Sequence, residues 1–254
     1  MKIRVLGAFG GEGLGHRPSS FLINDRLLVD GGSVTGALTV PEQLVIEHAL
    51  VSHAHLDHIA GLVYLTETLG FCESGAAVTI ASIDPVITTL RAGVFNNVLW
   101  PDFSRIPHAD VPVVKYRTLV EDVEQRVGDL WVTPVHVNHA VPTSGFIVHD
   151  GAVGMVYSGD TGPTRALWEA ARGLHGLRAV ILECAFPNRL APLADIAKHL
   201  TPDLVRRELD KLPPDVPVWI FHVKPQFHEE IGEELERIGG DRLVLLEQDR
   251  TYSL

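Results

Sequence analysis

Short runs of apolar residues alternate along this chain with longer stretches whose apolar positions recur every three or four residues. In the first half, apolar runs near 3–7, 20–30, 49–52, 77–81, 112–117 and 129–136 predict strands, and helical spacing falls near 41–48, 58–69 and 84–93. The second half repeats the style, with strands near 145–148, 153–158, 178–183, 217–221 and 242–246 and helices near 163–173, 192–211 and 227–238. Alternation of this kind predicts a layered α/β fold. Periodicity alone does not choose between a Rossmann-like sheet and a sandwich. No repeat array, low-complexity segment or long polar linker interrupts the pattern, so residues 1–254 are expected to form one domain of two related halves, roughly 1–135 and 136–254. The glycine-rich stretch Gly7-Ala8-Phe9-Gly10-Gly11-Glu12-Gly13-Leu14-Gly15 follows a strand, but no helix clearly follows it. It is expected to be a turn at the rim of a site and not a nucleotide fingerprint.

The strongest chemical signal is His53-Ala54-His55-Leu56-Asp57-His58, between the apolar run Ala49-Leu50-Val51-Ser52 and the helix-like Ile59-Ala60-Gly61-Leu62-Val63. At an extended strand end, positions two apart point the same way, so His53 and His55 can grip one ion. The chain then turns into a helix, and Asp57 and His58 at its entrance can face a second ion. Imidazole nitrogen and carboxylate oxygen suit Zn²⁺ and related divalent cations.

Three further candidates stand where strands are predicted to end. His139 follows the run Asp129–Val135, Asp160 sits where Val156-Tyr157-Ser158 meets a glycine turn, and His222 follows Val216–Phe221. A carboxylate at a strand end can bridge two cations, the part suited to Asp160. Taken singly, a histidine after a strand is more often a hydrogen-bonded structural residue than a ligand. His136 is expected to be buried and hydrogen-bonded, and His16, His48, His108, His149, His175 and His228 to be surface or structural residues.

With these residues in view, the chain resembles the metallo-β-lactamase-fold hydrolases and, within them, the class II cyclic-nucleotide phosphodiesterases. The superfamily pattern H-x-H-x-D-H is matched by His53, His55, Asp57 and His58, and the narrower class II form by His53 through Gly61. Phe95–Asp102, Tyr157–Gly162, Phe186-Pro187-Asn188, Lys198–Pro202 and His222–Pro225 resemble further segments of that family, so the likeness runs over nearly the whole chain. The resemblance implies a four-layer αββα sandwich with a dinuclear metal site at one edge of its two sheets. It implies one ion on His53, His55 and His139, another on Asp57, His58 and His222, and Asp160 between them. Two such ions, roughly 3.5–4 Å apart, share a water and lower its pKa toward about 7, and the hydroxide attacks phosphorus in line. Zinc is the expected metal, and the same ligands accept manganese or iron.

Loss of Asp57 is expected to abolish turnover. Glu183 and His199 resemble a carboxylate–histidine pair that delivers a proton to the leaving oxygen; alternatively, Glu183 orients a metal-bound histidine. For substrate, Asn96, Asn97 and Trp100 lie in a polar-aromatic loop suited to a purine, although Trp100 can equally plug a hydrophobic hole. Lys224 either meets a phosphate or forms a salt bridge, and Ser144 either bonds near the phosphate or holds the loop carrying His139. The expected reaction is hydrolysis of a 3′,5′-cyclic nucleotide, cAMP first, to the 5′-nucleotide. The alternatives are another diester (a 2′,3′-cyclic nucleotide, an RNA 3′ end as in tRNase Z, or a phospholipid-derived diester) and a non-catalytic, metal-stabilised nucleotide-binding module.

Composition narrows the partners. The formal net charge of −11 weighs against a long nucleic acid, which calls for a basic face. It permits a small phosphodiester, because bound cations dominate the local field. Two cysteines, Cys72 and Cys184, make no disulfide framework and suggest a reducing compartment. No run approaches the roughly 18 apolar residues of a membrane span, and no secretory signal pattern opens the chain. The expectation is a cytoplasmic protein without a membrane partner, and the resemblance adds a homodimer.

Overall fold

The structure is a computed structural model that describes residues 1–72 and 74–254. The chain begins with β1 (Lys2–Gly7), β2 (Ser20–Ile23) and β3 (Leu27–Gly31), a meander of antiparallel pairs. Helices α1 (Val34–Ala37) and α2 (Val40–Gln43) lead to β4 (His48–Leu50). Helix α3 (Leu56–Phe71) then crosses to β5 (Val78–Ser82), and α4 (Asp84–Thr89) follows. A small hairpin, β6 (Pro107–His108) and β7 (Val111–Pro112), precedes β8 (Val114–Thr118). Strands β3, β4, β5 and β8 are mutually parallel.

The second half has the same plan. Strands β9 (Gln125–Val127), β10 (Leu130–His136), β11 (Ser144–His149) and β12 (Gly154–Tyr157) pair antiparallel. After α5 (Ala166–Ala171), β13 (Leu177–Glu183) lies parallel to β12. Helices α6 (Ala191–Ala197) and α7 (Pro202–Leu209) lead to β14 (Val218–Phe221), and α8 (His228–Ile238) leads to β15 (Leu243–Leu245), both strands continuing the parallel part. Strand β16 (Thr251–Ser253) returns to β1 and closes the first sheet in the order β16-β1-β2-β3-β4-β5-β8. The second sheet runs β15-β14-β13-β12-β11-β10-β9.

Three buried clusters separate four layers. Phe21, Val29 and Leu50 of the first sheet meet Phe146, Met155, Ile181 and Phe221 of the second in the central one. The alternate residues Leu22, Leu28 and Ala49 point outward against Ile59, Leu62 and Leu65 of α3. Val180, Leu182 and Ile220 do the same against Trp168, Val205 and Ile231 of α5, α7 and α8. Because alternate strand residues take opposite faces and both faces are covered, the strands read as continuous apolar runs. This is the αββα sandwich that the resemblance implied.

Some boundaries differ from the sequence reading. The run 20–30 is two strands, because Asn24 and Asp25 adopt positive φ and turn the chain. The helix expected over 192–211 is broken at Lys198, which is left-handed at φ 59°, and restarts at Pro202. Proline suits that first helical position, where no N–H is needed. Strands β9 and β16 are too short to show a periodic signal. No described helix is long and apolar enough to cross a membrane.

Candidate metal centre

The carboxyl ends of the parallel strands of both sheets open on the same edge, the usual place for a site in α/β sheets. There β4 delivers His53 and His55, α3 begins with Asp57 and His58, β12 delivers Asp160, β13 ends on Glu183, and β14 delivers His222. The segment after β10 adds His139. Two sets of ligand-type atoms converge: His53, His55, His139 and Asp160, and Asp57, His58 and His222, the atoms within each set lying within 4.8 Å of one another. His53 Nε2 lies 2.9 Å from His55 Nδ1 and 3.5 Å from Asp160 Oδ2, and His139 Nε2 is 3.4 Å from His55 Nδ1. On the other side, His58 Nε2 is 3.2 Å from Asp160 Oδ1, and His222 Nε2 is 3.1 Å from Asp160 Oδ2 and 3.8 Å from Asp57 Oδ2. Asp160 thus lies between the two sets, one oxygen near each of several imidazoles.

The outward nitrogens fix which way the imidazoles face. Asp30, fully buried at the end of β3, takes His58 Nδ1 at 2.7 Å, the Ser52 hydroxyl at 2.7 Å and the Tyr157 hydroxyl at 2.6 Å, all on Oδ2. Its Oδ1 accepts the Ser52 N–H. Ser52 has donated its only hydroxyl proton to Asp30, so its oxygen must accept from His53 Nδ1, 3.0 Å away. In the same way the Ser19 hydroxyl donates to the Phe9 carbonyl and accepts from His222 Nδ1. His139 Nδ1 donates to the Lys198 carbonyl at 3.2 Å. Each of these four rings has its N–H directed outward, and when neutral it presents the lone pair of Nε2 to the cluster. This is how metal-binding histidines are held.

Converging lone pairs repel unless a cation lies among them. Among the described residues, His58 Nε2, His222 Nε2 and Asp160 Oδ1 are buried and find no hydrogen-bond partner. Orphaned buried polar atoms are rare in folded proteins. A tetrahedral ion bound at about 2.0–2.1 Å sets its nitrogen ligands roughly 3.4 Å apart, close to the spacings among His53, His55 and His139. The residues therefore fit the divalent cations that this fold implies.

Electrostatics points the same way. Burial pushes the His53 and His222 imidazoles well below the ordinary histidine range and lowers His55, and it brings His139 to about 4. All four are held unprotonated and ready to act as ligands near neutrality. Burial opposes the charge on Asp160, but His222, His58 and His53 outweigh it and hold the carboxyl well below its usual range. His58 is the exception. Burial opposes its protonation, yet Asp160 and Asp30 raise it well above the usual value, so in the absence of a metal a proton balances the two carboxylates.

Local backbone strain accompanies the arrangement. Asp30, Lys198 and His222 adopt left-handed φ values of 50°, 59° and 67°, conformations that cost energy for any residue but glycine. Gly159 takes φ 59° immediately before Asp160, and a Cβ there would press on Ser52. Gly10 of the glycine-rich turn lies against His222, where a Cβ would come within 2.5 Å of the His222 carbonyl. That turn stands at the rim, where the sequence placed it.

The remaining candidates divide. Glu183, fully buried, accepts from His199 Nδ1 at 2.8 Å and from the Thr161 and Leu200 N–H groups. It pairs with His199 and with none of the seven cluster residues. His199 itself lies beside the cluster, with a ring nitrogen within 4.8 Å of Asp160 and His222 ligand atoms. Lys224 reaches the Gly10 carbonyl and stands 3.7 Å from Asp57, so it ties the rim turn to the cluster.

Four residues named for substrate do not reach the centre. Asn96 accepts the Val98 and Leu99 N–H groups, and Asn97 accepts the Asp102 N–H, so their oxygens hold their own loop. Trp100 packs against the core beneath α3 and meets Tyr64 edge-on at 5.6 Å, the plug alternative. Ser144 is fully buried, its N–H bonds the Ser52 carbonyl, and its hydroxyl has no hydrogen-bond partner among the described residues. His136, expected inside, is exposed because it ends β10 on the open side. Asp30 and Ser19 were missed. The signal for Asp30 was present in Leu28-Val29-Asp30-Gly31-Gly32, an acid closing an apolar strand.

Comparison with known proteins follows the same line. A family profile described as "Beta-lactamase superfamily domain" matches residues 34–246. A curated relative from Yersinia pestis, named "Probable 3′,5′-cyclic-nucleotide phosphodiesterase", is 26% identical over 93% of this chain and 81% of its own. Among solved structures, unliganded yeast PDE1 superposes with a TM-score of 0.81 at 21% identity, covering 98% of each chain. The short form of human tRNase Z gives 0.70 at 16% identity, covering 100% of this chain and 99% of its own.

Proposed function

Since the chain belongs to the beta-lactamase superfamily and has the metallo-β-lactamase fold, we propose that it is a metal-dependent phosphodiesterase that opens 3′,5′-cyclic nucleotides, cAMP first among them, to 5′-nucleotides. The observation that carries this reading is the outward locking of four imidazoles around Asp160, with the Glu183–His199 pair alongside. His53, His55 and His139 would hold one divalent cation and Asp57, His58 and His222 another, with Asp160 shared and zinc the first choice for both. Cations bound there would lower the pKa of a water and offset charge on the phosphate oxygens.

The protein's own groups supply orientation and a proton. Ser52, Asp30, Ser19 and the Lys198 carbonyl keep the rings aimed inward. His199 donates Nδ1–H to Glu183, which leaves Nε2 to face the reacting diester. Burial opposes a charge on His199, but Glu183 outweighs it and raises the imidazole above its usual value, the direction that suits a proton donor. As the water oxygen bonds phosphorus and the P–O3′ bond breaks, O3′ takes the Nε2 proton.

Ribonuclease activity is the second reading, favoured by the tRNase Z likeness. The net charge of −11 weighs against a long polyanion. The deciding experiment gives the metal-loaded protein 3′,5′-cAMP, 3′,5′-cGMP, 2′,3′-cAMP and bis(p-nitrophenyl) phosphate, with a chelated control. Chelator-sensitive release of 5′-AMP, at a kcat/KM well above that for the generic diester, is expected. Cleavage of the generic diester alone would discard the cyclic-nucleotide assignment.

A further inference from the structure

A cavity of about 310 Å³ adjoins the cluster on the His199 side. Its walls are Gly162 and Pro163, just past Asp160, Ala194 of α6, Lys198 and His199 just after that helix, and the first turns of α7. None of the seven cluster residues lines it, and His199 is what ties it to the centre; a comparable cavity lined by Leu69, Phe71 and Val113 borders neither the cluster nor His199. We infer that the cavity beside His199 is the subsite for the uncharged nucleoside portion of the substrate. The inference rests on the phosphodiesterase reading and names where that substrate lies.

Three observations carry it. The first is position. If His199 protonates the leaving oxygen, that oxygen lies at His199, and the carbon skeleton attached to it continues into whatever space His199 borders. That space is this cavity, whose size lies near the lower end of the range of about 300–1,000 Å³ typical of small-molecule sites.

The second is charge. Lys198 Nζ is paired with Asp195 at 3.3 Å, and both line the cavity. Arg207 is matched in number by Asp203. With the His199 imidazole held against the Glu183 carboxylate, the two remaining cations and two anions leave no net positive field for a second phosphate or an RNA tail, whereas the mixture suits hydroxyl and amine groups. Asn188 accepts the Asp203 N–H at 2.8 Å, which leaves its own NH₂ as a donor, and the Asp203 carboxylate is an acceptor. Pro163, Ala194 and Leu204 supply apolar surface for the face of a ring.

The third is connection. Lys198 lines the cavity, holds His139 Nδ1 with its carbonyl, and immediately precedes His199. Its left-handed backbone, φ 59° and ψ 54°, is what allows all three. A group seated in the cavity therefore rests against the residue that positions both a candidate metal ligand and the proton donor. A nucleoside held there is registered against both.

The test is calorimetric titration of the metal-loaded protein with 5′-AMP and, separately, with inorganic phosphate. The wild type is expected to bind 5′-AMP at least about tenfold tighter than phosphate. Leu204→Trp, which fills the cavity, should bring the two within about twofold while leaving phosphate affinity nearly unchanged. A wild type that does not distinguish the ligands, or a Leu204→Trp protein that keeps the preference, overturns the inference. If Leu204→Trp weakens phosphate as well, it has disturbed the centre, and the milder Asp203→Ala decides: a preference reduced about threefold supports the subsite, and an unchanged one refutes it. Should the wild type fail to hydrolyse 3′,5′-cAMP yet show the 5′-AMP preference, the reaction assigned above falls and the subsite stands.

Discussion

Two loops of this chain are rich in polar and aromatic residues, and they use them in opposite ways. In the segment Asn96–Asp102 the polar atoms face inward on the loop itself. Asn96 accepts from Val98 and Leu99 and donates to the Ala92 carbonyl, and Asn97 accepts from Asp102. In the segment His53–His58 the polar atoms are withheld from one another's service. Ser52 and Asp30 take the outward nitrogens of His53 and His58, while the inward Nε2 of His53 faces His55 Nδ1 and that of His58 is left without a hydrogen-bond partner among the described residues. Asparagine side chains spent on their own segment are finished as structure, although Trp100 Nε1 in the same loop is buried without a hydrogen-bond partner among the described residues. A buried cluster that leaves acceptors facing acceptors is finished only when something positive arrives.

The sharpest way to break that contrast is Asp160→Ala. Removing the carboxylate shared by both sets should abolish metal loading and reduce diester hydrolysis on the order of 10³-fold or more. Full metal content by elemental analysis with intact activity would remove Asp160 from the ligand set. The next effect is smaller and passes through a residue that touches no substrate. Asp30→Asn presents an NH₂ group to donors that need an acceptor, so it should weaken metal affinity by about 10–100-fold. It should also destabilise the fold by about 3 kcal/mol. A competitive chelator titration reads the first effect and denaturant unfolding the second. Unfolding alone, with metal affinity unchanged, would reduce Asp30 to a structural role.

The difference between the loops also explains what was legible in the sequence. His53, His55, Asp57 and His58 are local, and their two-residue spacing at a strand end needs no knowledge of the rest of the chain. His139, Asp160 and His222 come from three separate strand ends and gain meaning only from their shared setting. Asp30 was invisible as a partner because its contacts with Ser52, His58 and Tyr157 span up to 127 positions. The alternation of strands and helices gave the layered architecture, since burial of both strand faces leaves long apolar runs. It missed the break at Lys198, where a left-handed residue inside a helical pattern has no local signal. Asn96, Asn97 and Trp100 mark the limit of residue type, which cannot tell a polar group facing a ligand from one facing its own backbone.

That last ambiguity yields the smallest and most discriminating effect. Asn96→Ala removes two acceptor contacts at 2.9 and 2.8 Å and one donor contact at 2.8 Å. Asn96 is only partly buried, so water replaces much of what is lost, and the cost should be about 1 kcal/mol. For a chain of this length that corresponds to a fall in Tm of roughly 2–4 °C. Metal content and kcat/KM should stay within about twofold of wild type, because the Asn96 side chain bonds only Ala92, Val98 and Leu99 and none of the cluster residues. The reverse result, an unchanged Tm with a kcat/KM reduced tenfold, would mean that Val98, Leu99 or Asn96 reaches the substrate during turnover. The loop would then be unfinished in the same sense as the cluster, awaiting a partner that only the bound state supplies.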